Sequence, residues 1–188
     1  MSGMSAPQES HRTDRELVES VLRHKDELAF RLLYRRHTPR LFVLVARLLA
    51  RGDDEAEDVV QETWIHAFEN LDRFEWQSAF ATWLTGIGLN RVKDRIRRYG
   101  RSRETTLAVV PDIATAPNPP ADERIDLERM IARLPDELRV VLVLHDVEGM
   151  KHREISEHLD IPEGTSKTHL SNARRQLRAM LSGKGEAI

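Results

Sequence analysis

Apolar residues recur at helical spacing from Asp14 to Tyr99 and again from about 122 to 181, with polar and charged residues between them. The first stretch predicts helices at roughly 14–24, 26–50, 54–71 and 79–99, the second at roughly 122–133, 136–147, 151–159 and 163–181. No five-residue run alternates as a half-buried strand does, so the expected fold class is all-α. Val60, Trp64, Phe68 and Leu71 fall at i, i+4, i+8 and i+11 and are read as core. Trp83, Ile87, Val92 and Ile96 on the next helix, and Val140, Val141 and Leu144 further on, are read the same way. Pro39 lacks a backbone donor and is expected to kink the second helix or split it. Asp53 or Asp54 can cap the third, whose acidic first turn suits the helix dipole.

The periodicity lapses over Glu104–Ala121, which holds Pro111, Pro117, Pro119 and Pro120, half of the chain's 8 prolines. Such a stretch reads as a linker. The expected organisation is therefore two small helical domains, 13–100 and 122–182, joined by a Pro-rich linker over 101–121, with a disordered tail at 1–12 and a tail at 183–188. Domains tethered this way are expected to have no fixed mutual orientation until a partner sets it.

The last two helices form the most informative pattern, KHREISEHLDIPEGTSKTHLSNARRQLRAM from Lys151 to Met180. Ile155 and Leu159 give the first a contact face; Leu170, Ala173, Leu177 and Met180 give the second a buried stripe. Asp160 stands where the first helix should stop, Pro162 suits the first position of the next, and Gly164 loosens the joint. Lys167, Thr168, Ser171, Asn172, Arg175 and Arg178 lie largely off the stripe and carry donors suited to phosphates and base edges. This is helix-turn-helix geometry, with an ordinary helical hairpin as the alternative.

Composition adds exclusions. The chain has 188 residues, 40% hydrophobic and 32% charged, and no cysteine, which removes disulfides and thiolate metal sites and suits a reducing compartment. The polar N-terminal stretch is no signal peptide, and the longest apolar run, Leu41–Ala50, holds Arg47 and is too short to cross a bilayer, so the protein is expected to be cytoplasmic without membrane insertion. Net charge is −2, but its distribution is uneven. Asp53, Asp54, Glu55, Glu57, Asp58 and Glu62 form one acidic block. Arg91, Lys93, Arg95, Arg97, Arg98, Arg101 and Arg103 stand against Asp94 alone, and Lys167–Lys184 contains no acid. Two basic segments and an acidic one suggest two nucleic-acid surfaces and a surface for a basic protein.

Six of ten aromatic residues fall between Trp64 and Trp83. Phe74, Trp76 and Ser78 lie in the break before the Arg-rich helix, where a ring can stack an unpaired base or tuck under the loop; spacing leaves both open. The segments AEDVVQETWIHAFENLDRF, SAFATWLTGIGLNRVKDRIRR and HREISEHLDIPEGTSKTHLSNARRQLR, in this order over roughly residues 26–181, resemble bacterial RNA polymerase sigma factors of the extracytoplasmic-function class. Pro135, Asp136 and the run Val140–Leu144 resemble the family's LPxxxRxVxxL helix.

The resemblance implies that 13–100 is the domain that binds core polymerase and the −10 element, and 122–182 the domain that binds the −35 element. It implies that Asp58, Gln61 and Glu62 dock on the β′ subunit of core RNA polymerase, which together with the β subunit forms the expected partner. Phe74, Trp76, Ser78, Asn90, Arg91, Lys93, Arg97 and Arg98 would melt and hold the −10 element, and Thr165, Lys167, Thr168, His169, Ser171, Asn172 and Arg175 would read the −35 element. Promoter DNA and an anti-sigma factor complete the implied partners. Two departures stand out. Ser166 occupies a position where an apolar residue is usual, so looser packing is expected there. His169 and Asn172 replace common arginines, which implies a different promoter sequence.

Two rival readings differ in kind. A stand-alone helix-turn-helix regulator would need a dimerisation helix or a phospho-acceptor domain, and neither pattern occurs. An enzyme would need a motif, but His145, His152, His158 and His169 lack HExxH-type spacing and no Gly-rich phosphate loop or GxSxG is present. No metal, cofactor or catalytic residue is expected.

Overall fold

The computed structural model describes residues 12–105 and 123–183, with side chains for 12–99 and 127–182. The expected tails, apart from Arg12 and Gly183, and most of the expected linker lie outside the described residues. Those described form eight α-helices and no strand: α1 (Asp14–His24), α2 (Glu27–Leu49), α3 (Asp53–Glu69), α4 (Phe80–Thr105), α5 (Glu123–Ala132), α6 (Asp136–Leu142), α7 (His152–Leu159) and α8 (Glu163–Gly183). A 3-10 turn, Leu71–Arg73, follows α3, and a π turn, Val143–Val147, continues α6. The helix α4 runs to Thr105, so the first residues of the expected linker are helical. Pro39 neither ends nor splits α2.

The chain divides into two compact units: residues up to Val45 with Asp53–Arg91, and Ala46–Gly52 with Val92 onward. This division cuts inside α2 and α4, unlike the 13–100 and 122–182 boundaries expected from periodicity.

In the first unit, α1 starts with a reciprocal cap. Thr13 N donates to Glu16 Oε2 (2.7 Å) and Glu16 N to Thr13 Oγ1 (3.3 Å). The Thr13 hydroxyl also donates to Glu16 Oε2 (2.9 Å), and the two bonds that the carboxylate accepts, the backbone one most, lower its pKa. Asp26 then caps α2, accepting from Leu28 N and Ala29 N while Ser20 Oγ donates to its other oxygen. The Ser20 bond is the main reason that the Asp26 pKa is lowered. Leu17 and Val18 of α1, Leu33, Leu41 and Leu44 of α2, Val59 and Trp64 of α3, and Phe80 and Leu84 of α4 fill the core. Trp64 Nε1 donates to Thr38 Oγ1 (2.9 Å), and buried Thr63 returns its hydroxyl to Val59 O. A Cβ on Gly88 would sit 3.0 Å from Leu41 Cδ1 and 3.7 Å from Thr63 Oγ1, so glycine is what lets α4 approach α2 and α3 here.

Two core expectations shift. Val60, Trp64 and Leu71 are buried, but Phe68 is 57% exposed. At about 100° per residue, Phe68 lies about 80° round the helix from Val60, whereas Ala67 lies about 20° from it and is buried instead. On α4, Leu84, Gly88, Leu89 and Val92 are buried, while Trp83, Ile87 and Ile96 are half-buried; Trp83 lies about 140° round from Gly88.

The second unit is built round Arg139. Its guanidinium is buried and donates to Leu48 O (3.0 Å), Leu49 O (2.8 Å), Leu134 O (2.8 Å) and Asp136 Oδ1 (2.5 Å). Leu48 and Leu49 end α2, so these are carbonyls that the helix itself cannot satisfy. Burial pulls the Arg139 pKa down, and Asp136 opposes that pull. Arg51 also reaches Asp136 (2.5 Å) and lies over the Tyr99 ring, 4.3 Å from its centroid. Arg47 pairs with Glu128 (2.8 Å). Val140, Val141 and Leu144 are buried as expected, with Ile155, Leu170 and Ala173. Leu159, Leu177 and Met180 are half-buried.

Arg139→Leu strands several buried carbonyls and should lower unfolding free energy by about 3–5 kcal/mol in urea titration. Arg139→Lys should recover little of this, because one ammonium cannot reach the acceptors that the planar guanidinium spans.

Candidate nucleic-acid and protein interfaces

The helix α3 presents Asp58 and Gln61 exposed and Glu62 half-buried, and their spacing of three and four residues sets them on one side of the helix. Ile65 (60% exposed) and Phe68 follow at the next turns, an apolar continuation that the sequence reading missed. With Gln61 they line an open groove of about 1070 Å³, whose other walls are Val21 of α1 and Phe30 and Tyr34 of α2. The missed signal was the drift of Phe68 off the Val60 stripe.

The loop between the 3-10 turn and α4 is an aromatic stack. Phe74 is buried, with Trp83 stacked on it (centroids 4.7 Å, 25°) and Trp76 tilted against it (4.7 Å, 49°). The ring of Phe74 thus packs under the loop. Trp76 is half-buried and has φ of 58°, a left-handed conformation that costs a bulky L-residue about 1–2 kcal/mol. The Arg15 guanidinium lies over its ring, 4.9 Å from the centroid. Ser78 is exposed, as is Asn90 on α4; Arg91 is half-buried. Lys93 follows half-buried, and Arg97 and Arg98 are exposed, in the part of α4 that belongs to the second unit. Arg97 lies 3.7 Å from the Asp160 carboxylate.

The last two helices have the expected form. Asp160 ends α7 in the left-handed conformation (φ 58°), with its N–H on Ser156 O. Pro162 sits one place earlier than expected: α8 begins at Glu163, and Pro162 O accepts from Ser166 N (3.1 Å). Gly164 lies inside the first turn rather than at the joint, with open space where a Cβ would stand. Lys167, Thr168, Ser171 and Arg175 are exposed; Thr165, His169 and Asn172 are half-buried. Lys167 pairs with Glu163 (3.4 Å), Thr168 Oγ1 donates to Gly164 O, and Arg175 Nη2 donates to Asn172 Oδ1 (2.9 Å). Arg174 grips Asp146 of the π turn with two nitrogens (3.0 and 2.6 Å). Those bonds are the main cause of the lowered Asp146 pKa and the raised Arg174 pKa.

Ser166, expected to loosen the helix start, is fully buried and lies 2.9 Å from His152 Nδ1. The hydroxyl is satisfied inside the joint, so the polar substitution keeps the two helices tied. His145 of the π turn lies against His152, ring centroids 4.7 Å apart.

Comparison with known proteins gives this arrangement its family. Residues 33–102 match Sigma-70 region 2 and residues 124–177 match Sigma-70, region 4. The ECF RNA polymerase sigma-E factor of Haemophilus influenzae is 34% identical over 179 residues, 88% of this chain and 93% of that protein. The chain belongs to the extracytoplasmic-function sigma factors. The sigma-E factor of Escherichia coli K12 is 32% identical, covering 88% of this chain and 92% of its own. Among solved structures, the sigma factor RpoE of Bartonella quintana, in complex with the anti-sigma factor NepR, superposes with a TM-score of 0.61 at 25% identity over 81% of this chain and 96% of that one. CnrH in complex with the cytosolic domain of CnrY gives 0.57 at 27% identity, covering 90% and 97%. Among the described residues of this sigma factor, no helix is long and apolar enough to cross a membrane.

The histidine pair gives a pH prediction. Burial most, then the charges of His145 and Lys167, hold His152 below its ordinary value of 6.5, with Glu163 opposing. Between the lowered value and 6.5 the unfolded chain binds the proton and the folded chain does not. This contribution to stability is whole above pH 6.5 and falls as the pH drops below it. Thermal melts of wild type should lose Tm from pH 7.5 to 5.5, and His152→Gln should flatten that slope.

Proposed function

We propose that this sigma factor uses the side of α3 carrying Asp58, Gln61 and Glu62 to dock on the β′ subunit of core RNA polymerase, with further contacts to β. The loop at Trp76 and Ser78, with Asn90, Arg91, Lys93, Arg97 and Arg98 of α4, opens and holds the −10 element. Phe74 acts there as the packed base on which Trp76 rests. Thr165, Lys167, Thr168, His169, Ser171, Asn172 and Arg175 of α8 read the −35 element, in the manner of a recognition helix in the major groove. The single observation that carries this reading is the presence of both sigma-70 regions in order on one chain. The work is binding and strand opening inside the cell, with no chemistry contributed by this chain. Regulation by an anti-sigma factor is the natural extension, given the complexes in which its structural neighbours were solved. The domain division that fits these roles is 13–100 and 122–182, with a linker that lets a partner set their orientation.

Purified protein added to core polymerase should give specific run-off transcripts on DNA from its own operon's upstream region; no transcript from any genomic promoter pool refutes the reading. Charge reversal at Asp58 or Glu62 should weaken core binding by roughly 2–5 kcal/mol and weaken it more than it lowers the free energy of unfolding.

The two DNA surfaces should separate by mutation. Lys167, Ser171 or Asn172 substitutions should alter −35 sequence preference. Trp76→Ala or Asn90→Ala should leave duplex binding intact and reduce permanganate reactivity in the opened bubble.

A further inference from the structure

We propose that Arg15 is a placeholder: in the DNA-free protein its guanidinium covers the face of Trp76 on which an unpaired base stacks, and the base takes that face by displacing it. The inference rests on the reading of Trp76 as a base platform and adds what occupies the platform before DNA arrives.

Four groups touch in sequence. Trp83 lies on Phe74, Phe74 contacts Trp76, and the Arg15 guanidinium caps Trp76 at 4.9 Å from the ring centroid. The indole is therefore in contact with a buried ring, Phe74, and with an exposed cation, Arg15. A π face attracts a cation and stacks a nucleobase through the same surface, so the two occupants exclude each other. The guanidinium is planar, as a base is, and can lie flat on the indole.

The surroundings let the side chain leave without moving the helix. The helix α1 is fixed on both sides of Arg15, by the Thr13–Glu16 cap, the 2.6 Å Asp14–Arg36 pair and buried Leu17 and Val18. The Trp76 ring also contacts buried Phe74, which holds the indole when the arginine leaves. What changes on base capture is one flexible side chain. The platform is thereby kept covered, and a base has to outcompete a ligand carried by the protein itself. Duplex DNA, whose bases are already stacked, has no means of doing so. The Arg15 contact thus discriminates open from closed DNA without reading sequence.

The test compares Arg15→Ala with Arg23→Ala, which removes an exposed positive charge from the same helix. Each full-length variant is saturated with core RNA polymerase and titrated with short DNA of randomised sequence, single-stranded or duplex. Arg15→Ala should bind the single strand about two- to fivefold tighter than Arg23→Ala, the range expected for loss of an exposed cation–π contact. The two should bind duplex equally. In the free chain labelled with 5-fluorotryptophan, the Trp76 fluorine signal, identified by its absence in Trp76→Leu, should move in Arg15→Ala and not in Arg23→Ala. Equal or weaker single-strand binding by Arg15→Ala, or an unmoved Trp76 signal, overturns the proposal. Failure of the platform reading looks different: Trp76→Leu then binds single strands as wild type does, while Arg15→Ala still shifts the fluorine signal.

Discussion

A helix that stops against protein leaves its last carbonyls without donors, and in the second unit Arg139 supplies them. Its guanidinium reaches Leu48 O and Leu49 O at the end of α2, Leu134 O before α6, and the Asp136 carboxylate in the first turn of α6. A planar group with five donors can serve such a scattered set; a point charge cannot. Asp136 then holds Arg51, which covers Tyr99 of α4. The last turn of α2 and the later part of α4 are therefore members of the second unit, and this is why the compact division falls inside two helices rather than at the Pro-rich segment.

The joint between α7 and α8 meets a similar demand with smaller groups. Ser166 is buried beside His152, so a hydroxyl in an apolar position is satisfied by a ring nitrogen. The π turn after α6 brings His145 and Asp146 to the same neighbourhood, and Asp146 fixes Arg174 of α8. The helix α8 is thus oriented by hydrogen bonds and ion pairs as well as by buried Leu170 and Ala173. Its exposed side carries Lys167, Thr168, Ser171 and Arg175.

Most helix boundaries were legible in the chain because caps and periodicity are local. The stop at Asp160 is an example: a residue able to adopt the left-handed conformation stands where the apolar spacing ends. What was illegible depended on distance or on angle. Arg139 acts on carbonyls about ninety positions away, which no window contains. Phe68 satisfies an i+4 rule applied twice, yet two such steps rotate it about 80° off the stripe and into the open groove. The basic and acidic segments stood out from charge alone, whereas their division among polymerase, −10 and −35 roles came with the family resemblance. The aromatic loop was seen but its layering was not, because spacing cannot tell a ring that packs, Phe74, from one that is capped by a distant arginine, Trp76.

The ion pairs on α8 have a consequence for the salt dependence of the DNA binding proposed for that helix. Lys167 and Arg174 already have carboxylate partners, Glu163 and Asp146. To neutralise a phosphate, each must first give up an internal counterion, so fewer condensed cations are released per contact than a count of basic residues suggests. Each phosphate fully neutralised contributes about 0.9 to the salt slope of binding to duplex DNA. A helix with self-paired cations has a shallower slope and a weaker grip on arbitrary sequence. With a net charge of −2, the chain as a whole adds little long-range attraction for arbitrary DNA.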